Sequence, residues 1–200
     1  MRPYCAYNPR FSETARRRKP LRKLRHLFFP VVILAFATAL PTLAQRGSDA
    51  ARPSPNAGVS QTIGTTEVTI SYGRPGVKGR TIWGELVPYG QVWRAGANEA
   101  TKITFSGDVL IEGQKLSKGA YSFYTIPTEG EWTLIFNKVA DQWGTNYDAD
   151  QDALRVTVKS QAAGQTEWMS FGFEGLSAKA ATVVLSWEKL KVRFTVEAAQ

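Results

Sequence analysis

From Val59 onward, polar and apolar residues alternate in short runs. Val68, Ile70 and Tyr72 alternate with Glu67, Thr69 and Ser71, and Ile103 and Phe105 alternate with Lys102, Thr104 and Ser106, followed by Val109 and Ile111. A period of two sends successive side chains to opposite faces, so each run reads as a half-buried strand. Tyr121, Phe123 and Thr125, then Trp132, Leu134 and Phe136, continue the pattern on either side of Pro127–Gly130. Leu154, Val156 and Val158 follow, and Trp168, Phe171 and Phe173 come in with a phase shift that predicts a bulge. Val183, Leu185 and Trp187, then Val192, Phe194 and Val196, close the chain as two strands divided by a turn at Glu188-Lys189. Further turn signals stand at Ser106–Asp108, Glu112–Gln114 and Thr128–Gly130. Eight or nine such strands predict an all-β fold, an antiparallel β-sandwich or flattened barrel. No segment holds a helical period. Arg80–Val87 comes nearest, and a single helical turn within a loop is the most it predicts.

One stretch, 74–101, resists the alternation and is rich in Gly, Arg, Trp and Tyr. Long ordered loops in compact domains carry function disproportionately. Guanidinium groups make bidentate contacts to anions, and indole or phenol rings offer stacking faces. The stretch is thus a candidate site for a small polar or anionic molecule or a saccharide. Arg80 and Arg94 would hold the charge, Trp83, Tyr89, Trp93 or Trp143 would pack on the ligand, and Asn98 and Asn137 would orient hydroxyls, with Glu99 beside them. The competing reading is purely structural: an ion pair such as Arg94 with Glu99, and Trp over Gly, would pin an irregular loop to the sheet.

Charge changes the picture only after the N-terminus is set apart. Residues 1–44 hold nine of the 25 Lys+Arg and one of the 17 acidic residues, leaving 16 of each sign in residues 45–200. The net charge of +8 therefore belongs to the leader. A neutral body lacks the basic footprint that nucleic acid requires. The leader has a basic stretch, Arg16–Arg25, then an apolar run from Leu27 to Leu40 broken by Pro30, then small residues at Thr42 and Ala44. The run is too short for a ~30 Å hydrocarbon core, and the pattern predicts a signal peptide over 1–44. Residues 45–58 read as a polar linker and 59–200 as one domain. The expected location is periplasmic or secreted, with no stable membrane insertion after cleavage.

The only Cys, Cys5, and the only His, His26, lie in the leader. The body therefore has no disulfide, no Cys or Ser–His nucleophile pair and no His/Cys zinc site. No cofactor is expected. Asp148, Asp150 and Asp152 stand at the alternating spacing of a calcium loop, but Ala153 and Lys159 occupy the positions where that loop needs Gly and Glu. Of the six Trp, Trp132 and Trp187 fall in phase with core faces and read as packing, whereas Trp143 falls in a polar loop.

The string GRTIWGELVPYGQVWRAGANEATKITFSGDVLIEGQKLSKGAYSFYTIP, then EWTLIFNK, then WGTNYDADQDALRVTV and a closing aromatic strand, resembles the bacterial domain-of-unknown-function family 2911 over about residues 59–197. The resemblance implies an exported, compact β protein and carries over no catalytic residue. The matching positions are Arg80, Trp83, Tyr89, Trp93, Arg94, Asn98 and Thr101. The combined reading is a non-catalytic binding or structural module. A histidine-free hydrolase using carboxylates such as Glu85 or Glu99, and an envelope module that binds another protein, are the alternatives left open.

Overall fold

A computed structural model of the chain describes residues 51–199; the leader lies outside the described residues. Nine strands follow in chain order: β1 (Asn56–Ile63), β2 (Thr66–Gly73), β3 (Thr101–Phe105), β4 (Val109–Ile111), β5 (Gln114–Leu116), β6 (Gly119–Ile126), β7 (Glu131–Asn137), β8 (Asp152–Glu174) and β9 (Ala180–Ala198). They form one continuous sheet in the order β1-β2-β3-β6-β7-β8-β9-β4-β5, with every neighbouring pair antiparallel. The all-β antiparallel expectation is met.

The sheet closes into layers because β8 and β9 are long enough to belong to two of them. The first part of β8, Asp152–Lys159, pairs with β7, and the remainder, Ser160–Glu174, pairs with β9. The end of β9 then turns to β4, Val196 opposite Ile111 and Ala198 opposite Val109. This bend brings β1 back against β8 and β9, and β5 against β8. The apolar faces meet inside, where Ile70, Ile103, Phe123, Phe136, Val183 and Phe194 are almost wholly buried. Burying each such side chain is worth about 1.5–3 kcal/mol.

Alternation reproduces the buried faces of β2 and β3. It breaks on β6 and β7, where Tyr121–Thr125 and Leu134–Asn137 are buried on both faces. There Tyr124 and Ile135 pack with Ala100 and Tyr147 in a second, smaller cluster. The residues on that outer side come from the 73–101 loop and the β7–β8 connection, which cover the sheet where solvent is expected.

Two expectations need correction. Glu188-Lys189 is not a turn between two strands: β9 runs unbroken through it, with Glu188 at φ 52° marking a kink. Arg80–Val87 forms no helical turn, and is instead a set of tight turns with a bridge between Trp83 and Val87. The phase shift before Trp168 is a real irregularity, with register shifts on either side of Thr166. The alternation also starts earlier than Val59, since β1 begins at Asn56 inside the stretch read as linker.

Candidate functional site

The 73–101 loop is locked from several directions. At its root, Ala97 N–H donates to the Gly73 carbonyl at 3.1 Å. A Cβ on Gly73 would fall 2.1 Å from the Ala97 carbonyl oxygen, so only glycine permits this approach. Residues 75–77 lie beside β8: Val77 N–H donates to Glu167 O and Met169 N–H to Pro75 O, at 2.8 and 2.9 Å. Farther on, Trp93 exchanges two backbone hydrogen bonds with Thr125, at 2.7 and 2.8 Å, in line with the end of β3.

Four indoles weld the loop to the core. Trp83 meets Trp93, Trp132 and Trp187 edge to face at 5.7, 5.0 and 5.7 Å, and Trp93 stacks on Trp187 at 5.7 Å. Each such pair adds about 0.5–1.5 kcal/mol beyond area burial. Beside Arg94 the backbone is strained: Ala95, fully buried, sits at φ 47°, and Asn98 sits at φ 65°. Left-handed geometry is unfavourable for alanine and better tolerated by asparagine. Thr101 holds the strained turn in place, its hydroxyl donating to the Ala95 carbonyl at 2.7 Å.

Under this loop is a cavity of about 280 Å³. Arg80, Arg94, Asn98 and Ser54 supply polar lining, while Trp93, Trp187, Leu86 and Val87 supply apolar wall. Among the described residues, no Asp or Glu lines it. Arg80 is exposed and oriented by its own loop, its Nε donating to Val77 O at 3.0 Å and its Nη2 to Gly76 O at 2.6 Å. Arg94 is half-buried and has no carboxylate partner among the described residues; its Nε is buried without an acceptor. Burial pushes the Arg94 guanidinium below its ordinary pKa, and the nearby Tyr124 phenol pulls it slightly back up. The Trp187 indole N–H is also buried without an acceptor among the described residues. A cation removed from water without a counter-ion is unfavourable, and here it borders an open cavity.

The family of proteins of unknown function designated DUF2911 matches residues 54–196. The chain belongs to this family. No curated protein and no solved structure matches it. In this DUF2911 chain the matched segment begins at Ser54, so the cavity lies wholly within the part that defines the family.

Of the predicted site residues, Arg80, Trp93, Arg94 and Asn98 share the cavity. Trp83 does not line it; it serves the indole cluster and borders, with Arg80 and Glu188, a second cavity of about 320 Å³. Tyr89 is exposed and lies against Gly84, where an added Cβ would meet its Cε2 at 3.2 Å. Glu99 is engaged by Arg52, whose Nη1 donates to both carboxylate oxygens at 3.0 and 2.8 Å. The Arg94–Glu99 pair that a purely structural loop calls for is therefore not formed.

Asn137 is fully buried elsewhere, its Nδ2 donating to Asp148 O at 2.7 Å and Asp152 Oδ1 at 2.9 Å. Trp143 is half exposed and outside the cavity lining. Asp148 caps the short 3₁₀ turn Ala149–Gln151, accepting from Asp150 N–H at 3.0 Å. Asp152 binds Arg155, Tyr147 and Asn137. Asp148 and Asp152 thus each have a local hydrogen-bonding role, and Asp150 takes part in the turn through its N–H.

Seven of the eleven lining residues are not among the predicted site residues, Ser54, Leu86 and Trp187 among them. Ser54 lay in a stretch that resembles a linker, Leu86 carried no chemical signal, and Trp187 read as core, which it also is.

Proposed function

We propose that this protein is an exported, non-catalytic binding module that holds a small polar or anionic molecule, or a saccharide, in the cavity under the 74–101 loop. The observation that carries the reading is Arg94: a half-buried guanidinium at a cavity wall, with no carboxylate partner among the described residues. Structural arginines in protein interiors are paired, and the carboxylate nearest in sequence, Glu99, is taken by Arg52. A ligand would supply the missing acceptor. The backbone strain at Ala95 and Asn98 supports the same reading, because strained residues cluster where geometry serves binding. Export is supported by the leader pattern alone.

The test is thermal unfolding of the purified protein against sugars, phosphates and carboxylates. A ligand of the folded state at a hundredfold over its dissociation constant adds about 2.7 kcal/mol of stability. Wild type should gain that increment with at least one class, and R94A should not. A shift of equal size in R94A would remove Arg94 from the site.

A further inference from the structure

The cavity wall narrows the ligand class. We infer that the ligand is a small organic oxyanion, a carboxylate or a phosphate or sulfate monoester, whose charged end lies between Arg94 and Arg80 and whose apolar body lies against Trp93 and Leu86. This rests on the cavity being the binding site, as proposed above.

The balance of charge is the first argument. Two guanidiniums and, among the described residues, no carboxylate line one space of about 280 Å³. Arg80 spends two of its donors on the carbonyls of Gly76 and Val77, which fixes its plane, and it has no carboxylate partner among the described residues. Two cations at one cavity repel each other, and an anion between them relieves both. Guanidinium matches the planar, two-oxygen edge of such a group.

The balance of donors and acceptors is the second. The side chains of the wall offer two guanidiniums and two indoles, all donors only. Against them stand two side-chain acceptors, the Asn98 Oδ1 and the Ser54 hydroxyl, the Asn98 Nδ2 being used to donate to the Ser54 carbonyl at 3.2 Å. A saccharide hydroxyl donates as well as accepts, so its protons would find few side-chain acceptors here. An oxyanion accepts only, which is what this wall demands.

Shape is the third. Small-molecule sites usually run ~300–1,000 Å³ with mostly apolar walls and a few placed polar groups. This cavity falls just below that range and its accessible wall is mostly polar. Trp187 and Val87 are almost wholly buried, which leaves Trp93 and Leu86 as the apolar surface that a ligand body would meet and that would be idle against an inorganic ion.

The experiment titrates the purified protein at low ionic strength with benzoate, phenyl phosphate, inorganic phosphate and methyl α-glucoside, reading tryptophan fluorescence and the melting midpoint together. Trp93 and Trp187 line the cavity, so occupation should perturb emission directly. Benzoate or phenyl phosphate should bind saturably, more tightly than inorganic phosphate, and more weakly as salt is added. The tighter of the two identifies the oxyanion. R94A should lose about ten- to hundredfold in affinity, as expected for a charge-assisted hydrogen bond. R94K, which keeps the charge and loses the fork, should fall between, and it serves if R94A does not fold. Binding of the glucoside but of neither organic oxyanion would overturn the inference and leave the cavity as the site. Inorganic phosphate binding as tightly as phenyl phosphate would overturn the apolar body. Silence from all four probes would overturn the inference and the proposed function together.

Discussion

The stem of Arg94 occupies the space that a side chain at position 144 would need: a Cβ on Gly144 would lie 1.8 Å from Arg94 Cδ and 2.7 Å from the Asn98 carbonyl oxygen. Gly144 belongs to the β7–β8 connection, and its N–H donates to that same Asn98 carbonyl at 3.2 Å. Two segments far apart in sequence thus share one slot, and the residue proposed to bind the ligand is positioned by the one that has no side chain.

G144A should therefore act through Arg94. The added methyl forces either the guanidinium stem or the loop backbone to move, at a cost of about 1–3 kcal/mol by analogy with other overpacked interiors. Removing the Arg94 stem as well should relieve part of that clash, so R94A/G144A should be more stable than the sum of the single changes. Urea unfolding of the four proteins measures this directly. Strict additivity would mean that the stem moves aside freely.

Asn137 should behave as a structural residue despite its place among the predicted ligands. Its amide ties together the Asp148 carbonyl and the Asp152 carboxylate, and its Oδ1 accepts from Val139 N–H at 3.1 Å. N137A removes all three hydrogen bonds of a buried side chain, each worth about 0.5–1.5 kcal/mol net, and so costs roughly 1.5–4.5 kcal/mol in total. The melting point should drop accordingly while the affinity for any cavity ligand stays unchanged. Lost binding with an intact fold would return Asn137 to the site.

The strands were legible in the sequence because inward and outward positions alternate on β2, β3 and the ends of β9 without help from anything distant. The miss at Glu188-Lys189 has a local cause. Two charged residues in an apolar run read as a turn, yet Glu188 at positive φ absorbs the kink while β9 stays paired to β8 on both sides, at Ser186 and at Leu190. The double burial of β6 was invisible for a different reason. Tyr124 is polar enough to pass for an outward residue, and only the arrival of Ala100 and Tyr147 from two loops buries it. Loop composition pointed to Arg80, Trp93, Arg94 and Asn98. It could not separate Trp83 from Trp93, because both are loop tryptophans and only the three-dimensional indole cluster decides which one faces the cavity.

Residues 52–55 form a strap over the loop, and Ser54 lines the cavity. Besides the Arg52–Glu99 pair, Lys78 Nζ donates to the Pro53 carbonyl at 3.2 Å and Arg74 N–H donates to the Pro55 carbonyl at 2.8 Å. R52A should loosen the strap without unfolding the sheet. The expected outcome is faster amide exchange at Arg74, with the core amides of β3 and β6 unchanged. Exchange at Arg74 equal to wild type would mean that the remaining backbone bonds hold the strap unaided.

Alkaline pH should reveal the Tyr147 cluster. The Tyr147 hydroxyl donates to Asp152 Oδ2 at 2.7 Å and accepts from Arg155 Nη2 at 2.7 Å. Burial, reinforced by the hydrogen bond and the charge of Asp152, pushes the phenol up to about 12 against the opposing pull of Arg155. An unfolded tyrosine loses its proton near ~10. Below that pH both states keep the proton and the contribution is fully present. Between the two values the unfolded state has lost the proton and the folded state has not, so stability falls as pH rises through this window. Because Tyr147 is partly exposed, solvent screening limits the effect to roughly 1 kcal/mol. Burial also raises the Tyr121 and Tyr124 phenols, so the comparison must be with Y147F rather than with neutral pH alone. The stability advantage of wild type over Y147F, measured by urea unfolding, should shrink between pH 10 and 12. An advantage that stays constant across that window would place Tyr147 in an ordinary aqueous setting and separate it from Asp152.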